Sequence, residues 1–179
     1  YIQLSIIQKK CTMNKIAILY GSSAGNTESV ANRIKDMFDD RADVFNVESV
    51  SIKAVQPYKY LILGTSTTGI GDLQDDWEYY LPKFSTEMDF TDKTVAIFGL
   101  GDSASFSDSF AESIYIVHDE LKDKVKIVGK TLDEGYTYDD SQAVVDDKWL
   151  GLAIDEDNEY DETEERLKKW VEQLKKEFV

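Results

Sequence analysis

The stretch Gly21-Ser22-Ser23-Ala24-Gly25-Asn26-Thr27 holds residue types that bind an anion without a cation of their own. Small side chains leave backbone N–H groups accessible, and Ser22, Ser23 and Thr27 add hydroxyl donors. A helical pattern follows directly, so the partial positive charge of a helix N-terminus acts at the same place. That chemistry suits a phosphate. A nucleoside-triphosphate loop reads G-x-x-x-x-G-K-[ST]; here the spacing is one residue short and the lysine is absent. Two further stretches share the small, polar, glycine-rich character. They are Gly64-Thr65-Ser66-Thr67-Thr68-Gly69-Ile70-Gly71-Asp72 and Gly99-Leu100-Gly101-Asp102-Ser103-Ala104-Ser105-Phe106-Ser107-Asp108. Glycine in such loops permits positive φ and a close approach of backbone to ligand. Cys11 and His118 each stand alone, which excludes an intramolecular disulfide, a Cys-ligated cluster and a catalytic His pair. The loops therefore read as a binding site without a nucleophile or general base.

Each loop follows a short apolar run. Residues 16–20, 60–64 and 94–99 carry the unbroken apolar pattern of strands buried on both faces. Residues 44–47 predict a weaker strand, and 125–128 the start of a last one. Val30, Ile34, Met37 and Phe38 share one helical face. A second helix is predicted from Asp72 to Leu81, stopped by Pro82 and with Trp77 in the core. A third is predicted from Asp108 to Leu121, burying Phe110, Ile114, Val117 and Leu121. In the final helix Leu167, Trp170, Val171, Leu174 and Phe178 form one stripe, with Asp161 and Glu164 expected as its N-terminal cap pair. Strands alternating with helices predict a parallel sheet covered on both faces. Ligands of such sheets bind beyond the carboxyl ends of the strands, where strand order reverses. A polar segment, 129–150, interrupts the last strand between Ile127-Val128 and residues 150–154.

Charge narrows the partners. The 179 residues include 20 Lys and Arg against 35 Asp and Glu, a formal net charge of −15. Nucleic acid would be repelled, whereas a basic protein would be attracted over long range. No apolar run reaches the roughly 18 residues of a membrane span, so no membrane insertion is expected. His118 is expected on a solvated helix face. Residues 1–12 lack the apolar core and cleavage site of a signal peptide, and are expected to be an extension ahead of Met13. One domain is then expected over 13–179.

With these elements in place, SSAGNTESVA resembles the phosphate loop of the flavodoxin family, [ST]-x-T-G-x-T, running into its helix. GTSTTGIGDLQDDW is similar to that family's second flavin loop and GLGDSASFSDSF to its third. The ending WLGLAIDEDNEYDETEERLKKWVEQLKKEF is similar to long-chain members. The resemblance implies an α/β, flavodoxin-like, doubly wound five-stranded parallel sheet in the order 2-1-3-4-5. Helices would cover both faces, and the long-chain insertion would split the last strand. It also implies one non-covalently bound flavin mononucleotide (FMN), whose phosphate would be held by Ser22, Ser23, Ala24, Gly25, Asn26 and Thr27. Thr67, Thr68, Gly69 and Ile70 would border one side of the isoalloxazine ring. Leu100, Gly101, Asp102 and Phe106 would border the other, and Asp157 would reach toward the ribityl chain. Three positions depart from the family pattern. Ala24 replaces a threonine and removes a hydroxyl, Thr68 stands where a tryptophan often covers the flavin, and Phe106 keeps the ring of a usual tyrosine without its hydroxyl.

The implied function is low-potential electron transfer between redox proteins, by a carrier and not an enzyme. Carboxylates at Asp72, Asp75, Asp76, Asp102 and Asp108 would disfavour added negative charge on the flavin. One like charge about 10 Å away costs roughly 1.7 kcal/mol at an effective dielectric of ~20, about 70 mV for one electron. The peptide at Gly69 can turn so that its carbonyl accepts a flavin N–H. Partners would be basic-faced flavin- or iron–sulfur-containing reductases or oxidoreductases, met in the cytoplasm by a monomer. An FMN-dependent NAD(P)H or quinone reductase, and a flavin-free phosphate-binding signalling domain, are the alternatives. The signalling reading lacks acids directly after the first strand, where Tyr20-Gly21-Ser22 stands.

Overall fold

The structure, a computed structural model, describes residues 16–179. The expected extension 1–12, with Cys11, and the start at Met13 lie outside the described residues. The chain runs β1 (Ile16–Tyr20), α1 (Asn26–Asp36), β2 (Ala42–Asn46), a single turn α2 (Ile52–Val55), β3 (Tyr60–Thr68) and β4 (Asp72–Leu73). It continues through α3 (Asp75–Glu87), β5 (Thr94–Leu100), α4 (Ser113–Leu121), β6 (Lys126–Val128) and β7 (Thr131–Leu132). The last elements are β8 (Val144–Val145), β9 (Lys148–Trp149), β10 (Leu152–Ile154) and α5 (Tyr160–Glu177).

Parallel pairing orders the main sheet β2-β1-β3-β5. Its fifth place is shared by two segments. β6 lies beside Thr94–Ala96 and β10 beside Phe98–Leu100, both parallel to β5. This is the expected order 2-1-3-4-5 with its last strand interrupted. Side chains alternate between the two faces, as the two-residue period of a strand requires. Ala17, Leu19, Leu61, Leu63, Val95 and Ile97 pack with Trp77, Phe84, Ile114 and Val117 of α3 and α4. Ile16, Ile18, Tyr60, Ile62, Ala96 and Phe98 pack with Val30, Ile34, Leu167, Trp170 and Leu174 of α1 and α5. Burial on both sides is why the runs read as continuously apolar.

Several element boundaries differ from the sequence expectation, each for a local reason. β3 runs on to Thr68, because Thr65 and Ser66 pair with β5 while Thr67 and Thr68 pair with β4. α3 starts at Asp75, where Gln74 caps it by accepting the Trp77 N–H at 3.3 Å. It also passes Pro82, which lies on the solvent face with Glu78, so the carbonyl left without a partner can meet water, while Phe84 is buried beyond it. The third helix begins only at Ser113. Ala111 takes φ +54, which turns Phe110 out of helical register and into an aromatic cluster. α5 begins after Glu159 with no side-chain cap; Asp161 sits inside the first turn, and Glu164 instead meets Arg33 at 3.1 Å. His118 is half-buried and not fully solvated, and burial followed by Lys130 and Lys122 pushes its pKa down.

The insertion forms a small antiparallel sheet, β7-β9-β8. Trp149 is fully buried, with its ring centroid 5.3–5.6 Å from those of Tyr136, Tyr138 and Phe110. The aromatics of an otherwise polar segment are thus its anchor. Its side chains also serve the sheet edge. Thr131 Oγ1 donates to the Gly151 carbonyl and the Tyr136 hydroxyl to the Ala153 carbonyl, both at 2.7 Å. Beside them the Trp170 indole N–H donates to the Gly129 carbonyl at 2.8 Å.

Candidate functional site

The carboxyl ends of β1, β3, β5 and β10 open on one cleft of about 680 Å³, its mouth included. At its base lies the first loop. Gly25 adopts φ +93, open to glycine, and its N–H donates to Ser22 Oγ at 3.0 Å. No side chain caps α1. The first N–H groups of any helix lack intrahelical acceptors, so this end suits an anion. Thr27 is buried at the first turn, and Ser22, Ser23, Ala24 and Asn26 line the cleft with it.

Gln74 joins this loop to the next wall. It is buried, and its amide donates to Ser23 Oγ at 3.3 Å and to Asp76 Oδ2 at 2.8 Å. Ser66, Thr67 and Thr68, at the end of β3, line one side of the cleft. Thr67 Oγ1 donates to Ser113 Oγ at 3.1 Å and accepts the Ser113 N–H at 3.0 Å, and Thr68 Oγ1 donates to the Leu73 carbonyl at 3.3 Å. The turn between β3 and β4 carries Gly69 at φ +51 and Ile70 at its tip, 84% exposed.

Leu100, Gly101, Asp102 and Phe106 line the opposite side. Asp102 folds its own loop by accepting from the N–H groups of Ala104 at 3.1 Å and Ser105 at 2.9 Å, and from Asn158 Nδ2 at 2.9 Å. Bonds from Ser105 and Asn158 hold its carboxyl below the usual range. Glu156 and Asp157 close the cleft. Partial burial pushes the Asp157 pKa up, with Asp102, Asp155 and Glu156 adding to the rise. Arg33 of α1 reaches Glu156 at 3.4 Å, tying the first loop's helix to this wall.

The sequence-derived set is therefore brought together at Ser22, Ser23, Ala24, Asn26, Thr27, Thr67, Thr68, Leu100, Gly101, Asp102, Phe106 and Asp157. Gly25, Gly69 and Ile70 do not line the cleft; Gly25 shapes the loop beneath it and the other two form the hairpin tip. Ser66 and Glu156 were missed. The apolar run before Ser66 ended the expected strand too early, and Glu156 carries no signal apart from its neighbours Asp155 and Asp157. The acids that line the cleft are Asp102, Glu156 and Asp157; Asp72, Asp75, Asp76 and Asp108 do not.

An open parallel sheet of this order, with four strand ends closing one cleft over an uncapped helix N-terminus, defines a doubly wound α/β protein whose switch point suits an anionic ligand. A family model described as Flavodoxin matches residues 18–170. A flavodoxin of Nostoc sp. is 41% identical over 166 residues, 92% of this chain and 97% of the relative. A flavodoxin of Helicobacter pylori is 41% identical over 167 residues, covering 93% of this chain and all of the relative. The crystal structure of Fusobacterium nucleatum flavodoxin bound to flavin mononucleotide superposes with a TM-score of 0.84 at 33% identity, covering 90% of this chain and 97% of that one. The chain belongs to the flavodoxin family.

Proposed function

We propose that the cleft holds one FMN, and that the protein carries low-potential electrons on it between basic-faced redox partners. As a flavodoxin the chain is an FMN-carrying electron-transfer protein, a carrier and not an enzyme, and it acts with redox partners. The observation carrying the residue assignment is the convergence of the uncapped α1 end with the ends of β3, β5 and β10 on one cleft. Bound FMN supplies the one-electron chemistry; the chain's residues bind it, orient it and set its electrostatic surroundings.

Ser22, Ser23, Asn26 and Thr27 would take the phosphate by backbone and hydroxyl donors, with the helix dipole in place of a cation. Thr67 and Thr68 would border one side of the ring system, and Leu100, Gly101 and Phe106 the other. Asp102, Glu156 and Asp157 would oppose added negative charge, which supports a low potential. Among the described residues no helix is long and apolar enough to cross a membrane. A cytoplasmic monomer, formed by one domain over 13–179 and meeting flavin- or iron–sulfur-containing reductases or oxidoreductases, fits the acidic composition.

The purified protein should be yellow, with one FMN per chain, and its apoprotein should take up added FMN. FAD should bind far more weakly, because the helix end terminates the site at one phosphate. Absence of flavin bands together with no uptake of FMN would defeat the assignment. A second expectation follows from Thr68, which covers less of a flavin than an indole does. Aromatic stacking adds about 0.5–1.5 kcal/mol beyond burial, so Thr68→Trp should tighten FMN binding by up to about tenfold. Fluorescence titration of the apoprotein measures it, and an unchanged or weaker affinity would refute it.

A further inference from the structure

We propose that Asp155 is the positioning residue of the cleft, a buried carboxylate that locks the third loop to the 155–158 turn and so sets FMN affinity. The proposal rests on the cleft being the FMN site. Asp155 follows β10 directly and is 0% exposed, and it is not among the cleft-lining residues. Burying a charge is costly unless hydrogen bonds compensate it. No Lys or Arg among the described residues forms an ion pair with Asp155. Its compensation comes from neutral donors on two separate segments. Oδ2 accepts the Ser103 N–H at 3.0 Å and the Ser103 hydroxyl at 2.6 Å. Oδ1 accepts the N–H groups of Asp157 at 3.1 Å and Asn158 at 2.9 Å. The Asn158 amide donates to both oxygens and to Asp102 Oδ1.

The consequence is geometric. Ser103 follows Asp102, and Asp157 precedes Asn158, so each segment gripped by Asp155 presents a cleft-lining acid next to the grip. Every hydrogen-bond partner of the carboxylate is a donor. An asparagine of the same shape would turn an NH2 against one set of them, breaking half of the network while removing only one atom's worth of acceptor. Bonds to a charged acceptor are also the stronger kind.

Apoprotein of the full chain, titrated with FMN and followed by hydrogen exchange, tests this. Asp155→Asn should weaken FMN binding about tenfold or more. Exchange should accelerate at 102–106 and 156–158 while β1 and β3 keep wild-type protection, a pattern that general destabilisation would not give. Ser103→Ala should move both readouts the same way by a smaller factor with the charge left in place, and Ser103→Thr, which keeps the hydroxyl, should restore them. If Asp155→Asn does not fold, the Ser103 pair decides: equal affinity and exchange in Ser103→Ala and wild type overturns the proposal. A folded Asp155→Asn with wild-type affinity and exchange overturns it as well. Wild-type apoprotein that takes up no FMN overturns the cleft assignment, and this proposal with it; uptake by wild type with no change in the variants removes the proposal alone.

Discussion

Trp149→Ala should lower the free energy of unfolding by about 3–5 kcal/mol, the range for truncating a buried tryptophan. The indole is fully buried and is the hub on which Phe110, Tyr136 and Tyr138 meet. Its loss leaves a cavity that three rings cannot all fill. The functional effect should be a weaker cofactor site, because the insertion that Trp149 anchors grips the third loop and the start of α4. The N–H groups of Asp139 and Asp140 donate to the Ser107 carbonyl at 3.0 Å, and the Gln142 N–H donates to Glu112 Oε1 at 3.0 Å. Urea unfolding of the apoprotein measures the first effect and FMN titration the second. A loss below about 1 kcal/mol would show that the cluster is not a support of the fold.

Reversing Asp75 and Glu78 to lysine should slow reduction by a basic-faced flavin-containing reductase several-fold at low salt. Both residues are exposed on the first turn of α3, and the pair of reversals moves the formal net charge from −15 to −11. Steering of this kind changes association rates by about 10–10³ across whole interfaces. It fades as the Debye length falls from ~30 Å at 0.01 M salt to ~8 Å at 0.15 M. The variant should therefore show both a lower rate and a flatter salt dependence in stopped-flow, with FMN affinity kept. Asp76 is unsuitable for such a test, because it accepts from the Gln74 amide that reaches Ser23 of the first loop. Equal rates and slopes for the two proteins would place the docking surface elsewhere.

The contrast between Asp75 and Asp76 illustrates which features were legible in the sequence. Strands β1, β3 and β5 could be read because burial on both faces leaves an uninterrupted apolar run, and the loops because glycine and hydroxyl residues cluster at their ends. Those two facts point to the first and third loops and the end of β3 as walls of the cleft, but not to Ser66 or Glu156, nor to the place of Gly69 and Ile70 outside it. The missing parts depend on contacts distant in sequence. Gln74 looks like any polar residue before a helix until Ser23 is seen beside it. Asp155 looks like one acid in an acidic run, although it is fully buried while Asp157 is exposed. Pro82 reads as a helix stop by propensity alone, whereas the burial of Phe84 beyond it carries α3 through. The Ala111 kink has no local signal; its cause is the aromatic cluster contributed by the insertion.

The side chains that meet the split fifth strand bear on self-association. A strand at the border of a sheet normally offers a ladder of free N–H and C=O groups to any other extended chain. Here the carbonyls of Gly129, Gly151 and Ala153 are already taken by Trp170, Thr131 and Tyr136, and the Gly129 N–H donates to Glu177 at 2.7 Å. A second strand would have to displace four intramolecular bonds to add here. The insertion and α5 thus act as a selvedge, finishing the border of the sheet against cross-β growth.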